Sequence, residues 1–243
     1  MKLLEPESSD QERWNNFVIK HFPVVGAFLS SWEWGDFKDK MGSEARRYVI
    51  SEGAEWLGLF SLEEHKLTLG LEYHYLPRGP VLTPKLWQDP QILSEIFRHF
   101  ESKIRDQYQK SIFVRLEPSI AEEPPLFLKR PFRLPRYYVQ PRFNTVVDLS
   151  PNADEIFESF SRDMRQDLRA ALKKGVRVEL KSQLNSVDYE EFQKMQSETS
   201  RRAGKNVYPG REYYENLFSV FGPLTAAPRP AAPVVAIFFA YND

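Results

Sequence analysis

Between Arg46 and Pro77 the chain runs through three strand-like stretches with almost nothing between them: RRYVISEG, AEWLGLFSLEE and KLTLGLEYHYLP. Each is rich in β-branched and aromatic residues and is bounded by glycine or charge, the pattern of an antiparallel meander. Helical periodicity lies on both sides. Residues 9–20 (SDQERWNNFVIK) place Trp14, Phe17 and Val18 on one stripe, with Ser9 or Asp10 as cap. After Asp89-Pro90, Ile92, Ile96, Phe97, Phe100 and Ile104 recur at spacings of three and four, and SIFVRLEP then reads as a further strand.

The second half repeats the alternation. Residues 121–136 are irregular and proline-rich, and Lys129 to Arg142 hold five basic residues and no acidic one, with Phe132, Tyr137 and Tyr138 among them and Phe143 following. That composition suits phosphate contact and base stacking, and equally an ordinary solvated loop. YYVQPRFNTVVDLS resumes strand character and ends at Ser150-Pro151, a cap followed by proline at a first helical position. A single helix is expected over 151–174. Ile156, Phe160, Met164, Leu168 and Leu172 form its apolar stripe, Arg162, Arg165, Arg169 and Lys173 a basic one, and Gly175 its stop. VRVELKS reads as a strand and SVDYEEFQKMQSETSRRAG as a helix capped by Asn185 or Ser186, with Phe192 and Met195 inward. REYYENLFSVFG is a third helix, and VVAIFFAYND an apolar strand. The expected division is 1–149 and 150–243. The last strand has one other clear strand in its own half, so either it borrows a sheet from the first half or the chain is truncated.

At 243 residues, with 42% hydrophobic and 14% aromatic content, the chain can fill one large core or two small ones. A formal charge of −1 excludes wholesale polyanion binding and leaves local patches. There is no cysteine, which removes disulfides and thiolate chemistry. His21, His65, His74 and His99 stand singly with no partner at ligand spacing, so no metal is expected. The opening MKLLEPESSD turns acidic after four residues, and no apolar run reaches spanning length; a cytoplasmic protein is expected.

In LEYHYLPRGPVLTP, Arg78 sits between Pro77 and Gly79-Pro80 directly after a strand. Proline fixes its own φ and glycine opens φ > 0, so this backbone is shaped before tertiary contacts form. Arg78 then either points at a ligand or sits in a stiff turn. Taken with SSWEWGDFKDKMG, YLPRGPV, VRLEPS, QPRFNTVVDLS, MRQDLRAALKKGV and ETSRRAGK, in this order from residue 30 to 205, the chain resembles the FemABX aminoacyltransferases of peptidoglycan bridge synthesis. The resemblance implies two GNAT-like α/β domains with mixed, mostly antiparallel sheets flanked by helices. It covers the first domain and about half of the second, because family members continue beyond a strand like VVAIFFAYND. The implied reaction moves an aminoacyl group from aminoacyl-tRNA, as co-substrate, to the stem peptide of a peptidoglycan precursor, lipid II or UDP-MurNAc-pentapeptide. No cofactor is implied, and a lipid-linked substrate would bring the protein to the inner membrane face.

The same resemblance makes Lys38, in WGDFK, the precursor-binding lysine and matches Arg202 to the arginine of a threonine-x-x-arginine motif starting at Thr199, with Ala203 where an acidic residue is usual. A solvated lysine and a helix C-terminal cation are the alternative readings. Arg78 would face substrate or lock the floor beneath it; Glu117, in RLEP, would orient the acceptor or cap the next turn. Arg162, Arg165, Arg169 and Lys173 could meet the tRNA or form a solvated face. No general base can be assigned. The Gln/Arg-x-x-Gly-x-Gly/Ala loop of acyl-CoA users is missing from the sequence, which disfavours a CoA thioester. Two other functions remain open: a non-catalytic precursor-binding module, and a GNAT-like N-acyltransferase acting on another amine.

Overall fold

The meander forms. A computed structural model describes residues 1–22, 27–119, 132–206, 208–223 and 234–242, in two compact units, Met1–Asn144 and Thr145 onward. In the first unit β1 (Lys2–Leu4), β2 (Ala45–Glu52), β3 (Glu55–Lys66) and β4 (Glu72–Leu76) pair antiparallel in that order, and β5 (Val81–Leu82) pairs β3. The third strand is shorter than its sequence suggests, because Thr68–Gly70 forms a tight turn in which Leu69 takes a left-handed φ of 61°. β6 (Ser111–Leu116) joins the far side of β4 and runs parallel to it. A parallel pair needs a crossover, supplied here by α3 (Pro84–Gln88) and α4 (Pro90–Gln107).

Alternation along the strands makes two cores. Tyr48, Ile50, Phe60, Leu62 and Leu76 pack on Leu93, Ile96, Phe97, Phe100 and Ile104 of α4, whose start is capped by the Asp89 carboxylate accepting from the Gln91 and Ile92 amides. On the opposite face Val49, Leu59 and Val81 meet Trp14, Phe17 and Val18 of α1 (Gln11–His21) and Trp32 of α2 (Trp32–Lys40).

The second unit contains α5 (Ala153–Ser159), α6 (Arg162–Lys173), β7 (Arg177–Lys181), α7 (Ser186–Ala203), α8 (Arg211–Phe221) and β8 (Ile237–Tyr241). The single helix expected over 151–174 is two. Phe160 is extended at ψ 154°, and the Ser161 hydroxyl accepts from the Met164 amide, starting a new helix. The cap of the first is Asn152, in a reciprocal box with Glu155, one residue beyond the expected Ser150-Pro151 start. Residues 137–149 form bends and irregular backbone and are mostly exposed, so the strand expected there is absent among the described residues; Pro141 interrupts any ladder it could join. Lys174 and Gly175, at φ 79°, end α6 as expected. β7 and β8 pair antiparallel and, among the described residues, only with each other. α7 covers one face of this pair, with Phe192 against Phe239 and Lys181 bonded to Asp188. The apolar stripe of α6 is exposed among the described residues: Met164, Leu168 and Leu172 keep 50, 37 and 72% of their surface. Met195, expected inward on α7, is exposed as well.

Candidate functional site

The SWEWGDFK stretch is α2, and nearly every side chain in it is committed. Ser31 caps the helix through the Trp34 amide. Glu33 is buried and accepts from Gln11 and Asn15 of α1. Gly35 clears the way for Arg47 of β2: a Cβ there would lie 2.4 Å from its guanidinium. Arg47 lies over the Trp32 ring and donates to the Trp32 carbonyl and the Asp36 carboxylate, both at 2.6 Å.

One turn on, α2 meets a buried carboxylate on β3. Glu63 accepts from the Trp34 indole at 2.6 Å, pairs with the Lys38 ammonium at 3.0 Å and lies 3.3 Å from His65 Nε2. Burial pushes the Glu63 carboxyl up, but His65, Lys38 and Trp34 together outweigh it and hold it below the ordinary glutamate value. Lys38 retains 18% of its side-chain surface against 4% for Glu63, so the lysine reaches the surface from an anchored base.

Across the sheet, Glu63 stands directly opposite Tyr75 of β4, and Tyr75 stands beside Arg115 of β6. The Tyr75 hydroxyl donates to Glu117 at 2.9 Å. Glu117 also accepts from Arg115 and from the consecutive amides of Val139 and Gln140, both at 2.9 Å. Burial alone would raise its carboxyl; the two amides, Arg115 and Tyr75 hold it below the usual range. Glu117 thus holds the distant segment at Val139 and Gln140 rather than the turn that follows it.

Arg78 closes this strip. It donates to the Pro141 carbonyl at 2.8 Å, one residue beyond the segment that Glu117 holds, while its Nε is buried with no partner among the described residues. Arg78 itself, not Gly79, carries the positive φ, 55°. A non-glycine residue pays for that geometry with roughly 1 kcal/mol or more, and the guanidinium contact with Pro141 offsets it. Lys38, Arg78 and Glu117 are thus linked in one unit through Glu63, Tyr75 and residues 139–141.

The remaining expected residues lie in the second unit. Arg202, in the last turn of α7, is exposed and 3.4 Å from the Thr199 hydroxyl. Arg165 turns back onto the Glu158 and Phe160 carbonyls at the end of α5, so it serves the helix junction. Arg162, Arg169 and Lys173 are exposed on α6, with Arg169 over the Phe157 ring. Of the basic run, residues 129–131 fall outside the described residues; Arg142 lies over the Tyr138 and Phe143 rings.

Residues 135–226 match the FemAB family. The chain is 23% identical over 228 residues to a lipid II:glycine glycyltransferase of Staphylococcus epidermidis, covering 88% of this chain and 52% of that protein. A lipid II:glycine glycyltransferase of Staphylococcus aureus is 24% identical over 215 residues, 83% of this chain and 48% of its own. The crystal structure of FemX superposes over 91% of this chain and 55% of that one, with a TM-score of 0.69 at 21% identity. The chain thus matches the FemAB family over residues 135–226 and shares its fold with FemX. Its mixed α/β fold is shared with FemX, and the chain spans about half the length of the curated relatives it matches.

Trp34, Glu63, Tyr75 and Arg115 were not singled out by sequence. Glu63 carried a usable signal: it is a charged residue directly after the apolar run 56–62 of a strand, where a buried carboxylate marks a pair. Glu63→Gln is expected to lower the unfolding free energy by about 2 kcal/mol, since it strips Lys38 of its counter-charge inside a partly buried site. Because folding depresses the Glu63 pKa, the unfolded chain takes up a proton first on acidification. The stabilisation is therefore full above the ordinary value of 4.5 and is lost as pH falls through and below it. Urea unfolding of both proteins from neutral to acid pH checks this: the gap between them should close at low pH.

Proposed function

We propose that this chain is part of an aminoacyltransferase that adds an amino acid to the stem peptide of a peptidoglycan precursor at the cytoplasmic face of the membrane. The similarity to lipid II:glycine glycyltransferases, running through 88% of the chain, carries this reading. No helix among the described residues is long and apolar enough to cross a membrane, so a lipid-linked precursor would be met at the bilayer surface. Aminoacyl-tRNA is the donor. The stem-peptide amine attacks the ester carbonyl carbon, an amide bond forms, the ester C–O bond breaks, and the released tRNA hydroxyl takes up the proton the amine gives.

The first unit, as a precursor-binding domain, would offer Lys38 and Arg78 to the diphosphate; Arg202, in the second unit, is a further candidate phosphate ligand. Lys38 has three donors and keeps part of its surface exposed while paired with Glu63, so a phosphate oxygen can share the ammonium. Glu63 and Glu117 are held below the usual carboxylate range, which makes them weak proton acceptors; proton transfer within the reacting pair fits better than either as general base. Arg162, Arg169 and Lys173 supply exposed cations for tRNA phosphates.

Calorimetric titration with UDP-muramyl pentapeptide tests the assignment. Lys38→Ala and Arg202→Ala are each expected to weaken binding about tenfold, the effect of losing one charged phosphate contact worth ~1.4 kcal/mol. Unchanged affinity in both would remove these residues from the site. Binding without transfer when aminoacyl-tRNA is supplied would favour a precursor-binding module, and turnover of an acyl-CoA instead would favour an N-acyltransferase acting on another amine.

A further inference from the structure

On the sheet face turned towards α4, away from the strip just described, His74 is 1% exposed and its Nε2 is buried with no hydrogen-bond partner among the described residues. Its Nδ1 lies 2.9 Å from the Ser111 hydroxyl. That hydroxyl also lies 3.4 Å from the Phe113 carbonyl, to which it can donate while accepting from Nδ1–H. In that neutral tautomer Nε2 presents a bare lone pair. Two carboxylates share the place. Glu64 of β3 is the direct cross-strand partner of His74, and Glu72 precedes His74 by two residues on the same face of β4. A ring nitrogen of His74 and one oxygen from each glutamate lie within 4.8 Å of one another.

We propose that Glu64, Glu72 and His74 form a site for one divalent transition cation of the zinc class. An imidazole and two carboxylates are the borderline-hard donor set such ions take, three protein ligands leave a position for water, and two carboxylates with a neutral imidazole balance a double positive charge. The hydrogen bond from Nδ1 to Ser111 is the outer contact that fixes the ring and its tautomer for ligation through Nε2. The ion would answer an otherwise unexplained pair of facts: an inward-facing lone pair with nothing to bind, beside two like charges. The neighbouring cation does not fill that role, since Lys66 is 3.9 Å from Glu64 and its side chain is 79% exposed. The ion would tie β3 to β4 at the open end of the sheet, beside the Thr68–Gly70 turn. The four histidines stand singly in sequence, so spacing hides this set; strand register assembles it.

Titration of the intact chain with ZnCl2, followed by calorimetry at neutral pH, tests the proposal. The expected result is one saturable site per chain, with affinity at least tenfold weaker in Glu72→Gln and in His74→Asn. Circular dichroism of each variant verifies its fold; Glu72, being only partly buried, is the substitution that leaves the core untouched. Zn2+ should also raise the thermal unfolding midpoint of the wild type, and by clearly less in Glu72→Gln. Absence of saturable zinc binding would overturn the proposal, as would equal affinity in the wild type and both folded variants, which would place the ion elsewhere.

Discussion

Replacing Glu117 with alanine is expected to remove about 3–5 kcal/mol of stability, the usual cost of breaking a buried charge pair by deleting one partner. The carboxylate is the shared acceptor of Arg115, the Tyr75 hydroxyl and the Val139 and Gln140 amides. Deletion leaves Arg115 without its counter-charge and frees the backbone segment on which Arg78 also bears. Two readouts separate the local from the global part. Urea unfolding measures the whole loss, while hydrogen exchange at the Val139 and Gln140 amides reports release of that segment in the folded chain. Glu117→Gln keeps the shape and one acceptor, and should cost less. A loss below about 1 kcal/mol for the alanine variant would show that solvent replaces these bonds at little cost, and the strip would then be too soft to hold a substrate.

The parts legible in the sequence were those governed by local periodicity. The meander, α1, α4 and α7 follow from apolar spacing and from caps such as Asp89 and Asn185. What local pattern could not give was competition between equally good local choices. Ser161 reads as one more polar residue on a continuous helix, but its hydroxyl suits an N-cap, and with Phe160 extended the cap wins and splits the helix. Gly79 is the residue built for positive φ, yet Arg78 takes it, held by a carbonyl 63 residues away in sequence that no window contains. The site shows the same division. Lys38, Arg78 and Glu117 are candidates raised by motif likeness, whereas the groups that hold them come from elsewhere: Glu63 and Tyr75 meet through cross-strand register, and residues 139–141 through long-range hydrogen bonds. Met164, Leu168 and Leu172 show the limit of periodicity: it marks a face as apolar without saying that the described residues supply a cover.

Trp14→Ala is expected to destabilise the first unit by about 4 kcal/mol, the middle of the range for deleting a buried aromatic ring. Trp14 is fully buried. Its ring packs edge-on against Trp32 at 5.8 Å, and its indole donates to the Ser30 carbonyl at 2.8 Å, so it fixes both the start of α2 and the turn before it. Alanine removes the ring contact, opens a cavity between α1 and the sheet, and leaves a buried carbonyl without its donor. The consequence reaches the candidate site, because α2 carries Trp34 and Lys38 to Glu63 as one rigid piece. Trp14→Phe separates the contributions: it restores much of the packing without the indole donor, and should recover more than half of the loss. Equilibrium urea unfolding of the three proteins, with precursor titrations on each, tests this chain of dependence. If alanine lowers stability as expected but precursor affinity stays at the wild-type level, then α2 docking does not set the position of Lys38, and the lysine's contact with Glu63 suffices to hold it.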